Sequence, residues 1–386
     1  MKILIVAPQP FFSIRGTPLA VRELTNVFLK SGHTVDILTF HLGEDINANG
    51  LRIYRNKMLA RYVKSIGPGF SFKKIILDMV IFPKALWLIL KNKYDVVHCV
   101  EESAYFMAWF KWLRPFVFVY DMDSDIPKQL VESGKLKNKF FIKCAEFKER
   151  LVIRMADGVV TICSVFTEKI KKIDAEKPVF QIEDVSPDDN MPEEDVLTDK
   201  QVILYTGNFE KYQGVDVLIE GFIRIKAKFP DAQLLIVGGE ENEVTGFKEK
   251  YNDKQIMFAG KRPISEMSKF LGIADIVVSP RIKGENTPFK LYSYLASGKP
   301  ILATNIVSHT QVLKDKENAM LVDPSMDGIS GGLQKLLNDN NFAQTIGLGA
   351  RKLFEEKYTR KGYEEKVKKY LEFLSRQCRD LKFIKG

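Results

Sequence analysis

Twelve short apolar runs, in two series of six, set the tightest limit on what this chain can fold into. KILIVAP, TVDILTF, YDVVHCV, FVFVYDM, GVVTIC and VFQIED lie in the first half; QVILYTGN, AQLLIVGG, QIMFAGK, IADIVVSP, KPILATN and NAMLVDP lie in the second. Nearly every position in a run is apolar, as in strands covered on both faces, and most runs are separated by amphipathic stretches such as VDVLIEGFIRIKAKF. Buried strands alternating with helices make a parallel sheet, so the class is α/β, and two series make two Rossmann-like domains. The segment between them, EDVSPDDNMPEEDVLTD, carries eight acids, two prolines and no base, which is a linker composition. The expected division is a first domain over residues 1–183, a linker over 184–199, a second domain over 200–360 and a terminal helix over 361–386. Tyr363, Val367, Tyr370, Leu371 and Phe373 recur there at helical spacing.

Composition excludes several classes. With 386 residues, 45% of them hydrophobic, the chain can bury two sizeable cores. Cys99, Cys144, Cys163 and Cys378 show no paired spacing, and the four histidines at 33, 41, 98 and 309 are scattered. This pattern argues for a reducing compartment and against structural zinc. MKILIVAP reads as a first buried strand, because Pro8 and Pro10 follow at once and no cleavage site does. No run reaches the roughly 18 apolar residues of a membrane span; residues 75–90 come nearest but contain Asp78, Pro83 and Lys84. The expected location is therefore cytoplasmic.

The net charge of +9 lies wholly in the first half, where residues 1–183 carry 28 basic and 19 acidic side chains against 30 and 30 in the remainder. Residues 52–93 hold ten of these bases and one acid, Asp78, with Phe70, Phe72, Phe82 and Trp87 interleaved. Two readings fit: a surface that rests on anionic lipid at the inner face of the membrane, or a packed helical pair with a solvated basic rim. No nucleic-acid module accompanies the charge.

The chemistry is concentrated in residues 277–305, VVSPRIKGENTPFKLYSYLASGKPILATN, which read as strand, loop, helix and strand. The loop puts Arg281, Lys283, Glu285, Asn286, Thr287 and Lys290 at the carboxyl end of one strand and the start of a helix near Pro288. Doubly wound sheets bind ligands there. A helix N-terminus with nearby cations suits a diphosphate, while Glu285 and Asn286 suit sugar hydroxyls. In order and spacing this resembles the donor loop of the retaining glycosyltransferases of family four, which have the GT-B fold. Asn286, Thr287, Pro288, Lys290, Tyr292 and Tyr294 look like the subset with an Asn-Thr-Pro-x-Lys loop and a Tyr-rich helix. Most of that family has a second acid eight residues after the first, to grip the ribose; here the position is Ser293. The loop in YTGNFEKYQGVDVLIEGF resembles the family's phosphate loop, flanked by Gly207 and Gly214. Asn208 and Gln213 stand where the family usually has Arg and Lys, a Tyr-Gln-Gly turn being shared with the same subset. Lys211, Arg281 and Lys290 are the replacement cations. The resemblance spans essentially the whole chain and is strongest from 201 to 324.

In the first domain, IRGTPLAVREL sets Arg15, Gly16 and Thr17 where the family's loop meets acceptor and donor phosphate. In VYDMDSDIP, Asp123 takes the place of a family His near the reacting sugar, and either acts there or joins Asp121 and Asp125 in capping a helix. Glu101 and Glu102, in HCVEES, are candidate acceptor contacts, and His98 reads as a core histidine. The resemblance implies two domains facing a cleft, with the terminal helix crossing back to the first. It implies a metal-independent retaining hexosyltransferase, with a nucleotide-diphosphate sugar as co-substrate and no other cofactor. The acceptor is a glycan, a lipid-linked glycan or a small molecule. DMDSD lies on the acceptor side, so it is not read as a metal site. Glu285 and Asn286 would orient the sugar, and Arg281, Lys290 and Lys211 would hold the diphosphate, whose departing phosphate takes the acceptor's proton. Two alternatives stay open: a nucleotide-sugar epimerase of the same fold and a non-catalytic sugar-nucleotide-binding relative. A dinucleotide-dependent dehydrogenase is disfavoured, since no Gly-x-Gly-x-x-Gly follows either first strand.

Overall fold

The computed structural model describes residues 1–13, 16–64, 66, 72–132, 134, 136–186 and 200–383. Residues 187–199 of the acidic linker lie outside them. The chain divides into two compact units, Met1–Glu183 with Tyr363–Gly386, and Asp184–Gly362.

The first unit has the strands β1 (Lys2–Ala7), β2 (Thr34–Phe40), β3 (Leu51–Asn56), β4 (Val96–Val100), β5 (Val117–Met122), β6 (Gly158–Thr161) and β7 (Val179–Gln181). They form one sheet in the order β3-β2-β1-β4-β5-β6-β7, parallel throughout, with Ile5 opposite Ile37 on one side and His98 on the other. Reversal of strand order between β1 and β4 puts a ligand crevice at their carboxyl ends. Five of these strands are wholly or almost wholly buried, as their unbroken apolar runs require.

Strand β3 is the element that apolar patterning did not single out. Its sequence LRIYRN carries two arginines and is only half-buried, because an edge strand is open to solvent on one side. Arg55 turns back from it to donate to Asp45 at 2.7 Å and to the carbonyls of Phe40, Leu42 and Glu44.

One face of this sheet is covered by α2 (Phe72–Lys91), α3 (Ser103–Phe110), α5 (Lys139–Met155) and α6 (Ser164–Ile173). Helix α1 (Gly16–Lys30) follows β1, and α4 (Ile126–Glu132) leads into α5. The C-terminal helix, Arg360–Phe383, returns to the first unit from Tyr363 onward, as the resemblance implies. Tyr370 is its anchor: fully buried, it stacks against Phe28 and Phe180, and its hydroxyl lies 2.9 Å from His98 Nδ1. The other ring nitrogen of His98 lies 2.7 Å from Asp121 Oδ2. His98 is thus a core histidine, clamped between a strand neighbour and the last helix.

The second unit repeats the plan with β8 (Gln201–Thr206), β9 (Ala232–Val237), β10 (Ile256–Gly260), β11 (Ile276–Ser279), β12 (Ile301–Thr304) and β13 (Met320–Val322). Their order is β10-β9-β8-β11-β12-β13, again parallel, with the reversal between β8 and β11. One face is packed by α7 (Val215–Ile223), α8 (Glu241–Lys250) and α12 (Met326–Asn338), the other by α9 (Met267–Gly272) and α10 (Lys290–Ser297). Helix α11 (Val307–Thr310) follows β12, and α13 (Asn340–Lys357) contributes to both cores.

Candidate functional site

The strand reversal in the second unit brings two loops together, one after β8 and one after β11. Gly214 joins them: it sits at φ 70, and a Cβ there would run into the carbonyl oxygen of Pro280. The amide of Ile282 also donates to the Tyr212 carbonyl at 2.9 Å. Residues about 70 positions apart are held in contact because the backbone at position 214 carries no side chain.

Lys290, the first residue of α10, projects from the later loop onto the earlier one. Its ammonium lies 3.9 Å from the centre of the Tyr205 ring and 3.4 Å from Gln213 Oε1. Gly207 makes room for it, since a Cβ there would be 2.8 Å from Nζ. No carboxylate comes within ion-pair reach of Lys290 among the described residues. Burial, with the Arg281 charge adding to it, holds its pKa well below the ordinary lysine value. A desolvated ammonium facing a ring, an amide and another cation is an incomplete arrangement, and an anion completes it.

Arg281 is buried and folds the loop around itself. It donates to the Lys283 carbonyl, the Asn286 carbonyl and Asn286 Oδ1, each at 2.9 Å, and its guanidinium lies 5.0 Å from the centre of the Tyr212 ring. Thr304 Oγ1 donates to its carbonyl. Three of its five N–H donors are committed within the loop, so it shapes the loop and supplies charge together. Gly284, at φ 130, packs directly on the guanidinium. Glu285 is half-buried, and its carbonyl accepts from Gln311 Nε2 at 2.7 Å. Thr287 Oγ1 is buried without a hydrogen-bond partner among the described residues. The Pro288 carbonyl accepts from Leu291 N in the first turn of α10.

The remaining residues expected here are less central. Asn208 is exposed and accepts from the Glu210 amide through Oδ1, and Lys211 is exposed in a short 3-10 turn. The hydroxyl of Ser293 is 3.2 Å from that of Ser186. Sequence reading did not find Tyr205, whose ring lies under Lys290, and took Tyr212, whose ring lies under Arg281, only as part of the Tyr-Gln-Gly turn. Nor did it find Gly238, where a Cβ would strike the Gly207 carbonyl. Only the Gly238-Gly239 pair left a signal, a double glycine directly after a strand.

A second polar cluster lies at the carboxyl edge of the first sheet. Lys74 of α2 reaches Glu102 at 2.6 Å and Glu101 at 3.5 Å, and Ser124 Oγ donates to Glu101 at 3.0 Å. Burial raises the carboxyl pKa of both Glu102 and Asp78, with Lys74 opposing and Glu101 adding. Glu101 sits at φ 50, in the left-handed region, a strain characteristic of ligand-binding turns. Asp123 is buried beside Ser124 in the loop after β5, and Asp125 supplies the cap by accepting from the Lys128 amide at 3.1 Å. Gly16 and Thr17 open α1, directly after the β1 loop. Arg15 lies outside the described residues. Lys74 corrects part of the charge reading, because this member of the basic stretch is interior and paired.

Two family models match the chain. Glycosyltransferase Family 4 takes in residues 14–179, and Glycosyl transferases group 1 takes in residues 187–353. An uncharacterized glycosyltransferase of Methanocaldococcus jannaschii is 24% identical, over 93% of this chain and 95% of its own. Among solved structures, sucrose-phosphate synthase from Thermosynechococcus elongatus superposes with a TM-score of 0.74 at 17% identity, covering 97% of this chain and 99% of that one. Anabaena HepE in complex with UDP-glucose gives 0.67 at 12%, covering 96% and 99%. These likenesses place the fold in the GT-B class. In the order of its two sheets, the chain carries a Glycosyltransferase Family 4 domain and a Glycosyl transferases group 1 domain.

Proposed function

We propose that this protein is a retaining glycosyltransferase that moves a sugar from a nucleotide-diphosphate sugar, held by the second unit, to an acceptor hydroxyl. The observation that carries the reading is Lys290, a desolvated cation with no acidic partner among the described residues, set beside Arg281 at the strand reversal of a doubly wound sheet. The UDP-glucose bound by HepE supports a donor of this class. In the reaction the bond from the anomeric carbon to the phosphate oxygen breaks and one to the acceptor oxygen forms on the same face. The acceptor's proton passes to the departing diphosphate. Negative charge grows on that group, so Lys290 and the Arg281 loop act more strongly on the transition state than on the bound donor. Glu285 and the Nδ2 amide of Asn286 orient the sugar, and Lys211, Gln213 and Thr287 complete the phosphate contacts. Asp123, Glu102, Arg15, Gly16 and Thr17 meet the acceptor, a glycan, lipid-linked glycan or small molecule of glycan biosynthesis in the cytoplasm. The reaction needs no metal, because fixed cations take its place.

The test is slow hydrolysis of a panel of nucleotide sugars, with the first-formed anomer read by NMR. A released sugar that keeps the donor's anomeric configuration is expected, with rates unchanged by a chelator. The opposite anomer would rule out retention, an isomerised intact donor would mean an epimerase, and binding without turnover would mean a non-catalytic relative. Manganese rescue after chelation would overturn metal independence.

A second expectation concerns protons. The ligand-free pKa of Lys290 is lowered, and a diphosphate beside it raises it again, so binding takes up a proton in the window between the two values. Affinity for a nucleoside diphosphate accordingly falls as pH rises through that window. Calorimetry with UDP in buffers of low and high ionisation enthalpy should show proton uptake that Lys290→Met removes. A heat that depends on buffer equally in both proteins would exclude Lys290 from the contact.

A further inference from the structure

The first unit carries a broad apolar face on helices that already bury another face against the sheet. On α2, Met79, Trp87 and Leu90 are exposed, along the side opposite the core residues Leu77, Ile81, Ala85 and Leu88. Helix α3 lies against α2 through Phe82, whose ring centre is 5.3 Å from Phe106 and 5.0 Å from Phe110. Its end adds Trp109 and, in the following turn, Trp112, the latter 80% exposed with the two rings 6.3 Å apart. Helix α5, the neighbour of α3, adds Phe140, Phe141 and Phe147, each more than half exposed. Three adjacent helices thus turn large aromatics outward, well beyond the scattered apolar residues of an ordinary surface.

Charge identifies what covers this face. Lys84 and Lys91 lie 4.2 and 4.7 Å from the centre of the Trp87 ring, and Lys139, Lys143, Lys148 and Arg150 are exposed on α5. Glu146 is the exposed acid among them; Glu149 is buried in an ion pair with Lys169. Aromatics that take the acyl boundary, bordered by cations that take headgroups, match an anionic bilayer. A second copy of the chain would bring one cationic border against another.

We infer that the outer faces of α2, α3 and α5 form a docking surface for an anionic lipid bilayer. The surface differs from the basic stretch 52–93 seen in the sequence: Lys74 and Arg55 of that stretch face inward, while α3 and α5 lie outside it. It does not depend on the catalytic reading, since it is measured without donor or acceptor.

The experiment is sedimentation of the full chain with vesicles of phosphatidylcholine alone or with phosphatidylglycerol. Binding to the anionic vesicles is expected to exceed binding to the neutral ones at least tenfold, and to weaken as salt is raised. Trp112→Ser with Phe147→Ser, and separately Lys91→Glu with Lys143→Glu, should each lower it about tenfold or more. Their thermal midpoints should match wild type, which separates lost docking from lost folding. Equal binding to both vesicles, or wild-type binding by both double variants, would overturn the inference. So would a stable dimer in solution that the Trp112→Ser, Phe147→Ser variant dissociates, which would assign the face to a second copy.

Discussion

Lys290→Met is expected to cut turnover about a hundredfold or more, while the ligand-free protein becomes more stable. A group that meets charge developing in the transition state is typically worth about 2.7 to 4 kcal/mol of barrier, which is a hundredfold to a thousandfold in rate. Lys290 is placed for that role by Gly207 and Tyr205, and no carboxylate among the described residues shares the load. The same isolation predicts the opposite sign for stability: methionine fills the volume beside Tyr205 without a desolvated ammonium, a gain of about 1 to 3 kcal/mol. A structural lysine would lose stability and keep its rate. Steady-state kinetics and urea midpoints on the one variant distinguish the two, and a wild-type rate would remove Lys290 from the mechanism.

Gly214→Ala should show the second large effect, a loss of about 2 to 5 kcal/mol of stability together with weaker UDP binding. Alanine at φ 70 costs about 1 to 2 kcal/mol, and its methyl group must push the Pro280 carbonyl away, an overpacking cost of about 1 to 3 kcal/mol. The displacement parts the loop that holds Gln213 from the loop that holds Arg281, so affinity falls with stability. Gly246→Ala is the matched control, because it lies inside α8 with open space at its Cβ position. Helix propensity predicts a gain there of roughly 0.5 to 1 kcal/mol. If Gly214→Ala melts and binds like Gly246→Ala, the two loops are not coupled as described.

Much of the architecture was legible because the strands are buried on both faces and therefore spelled in unbroken apolar letters. β3 was not, since an edge strand needs only a half-apolar pattern and LRIYRN also reads as a charged loop. That Arg281, Glu285 and Lys290 share one loop could be read directly, because they follow one another between a strand and a helix. The contacts of Tyr205 and Tyr212 with those cations could not, since the tyrosines belong to a strand and a turn 85 and 69 residues earlier and meet the cations only when β8 pairs with β11. Lys74 shows the reverse: its neighbours suggested solvent or lipid, yet α2 carries it to Glu101 and Glu102.

Local chain chemistry by itself determined the α/β class, the twofold repetition, the loop that supplies the cations and the family they resemble. These depend on which residues follow one another, and a backbone's periodic preferences and a loop's donors are properties of short segments. The tertiary structure alone decided that Lys290 has no counter-ion among the described residues, that Gly214 couples two loops, that Tyr370 locks the last helix onto His98, and that three helices share an aromatic face. Each depends on distance and desolvation between residues far apart in the chain, quantities that do not exist until the sheets have formed.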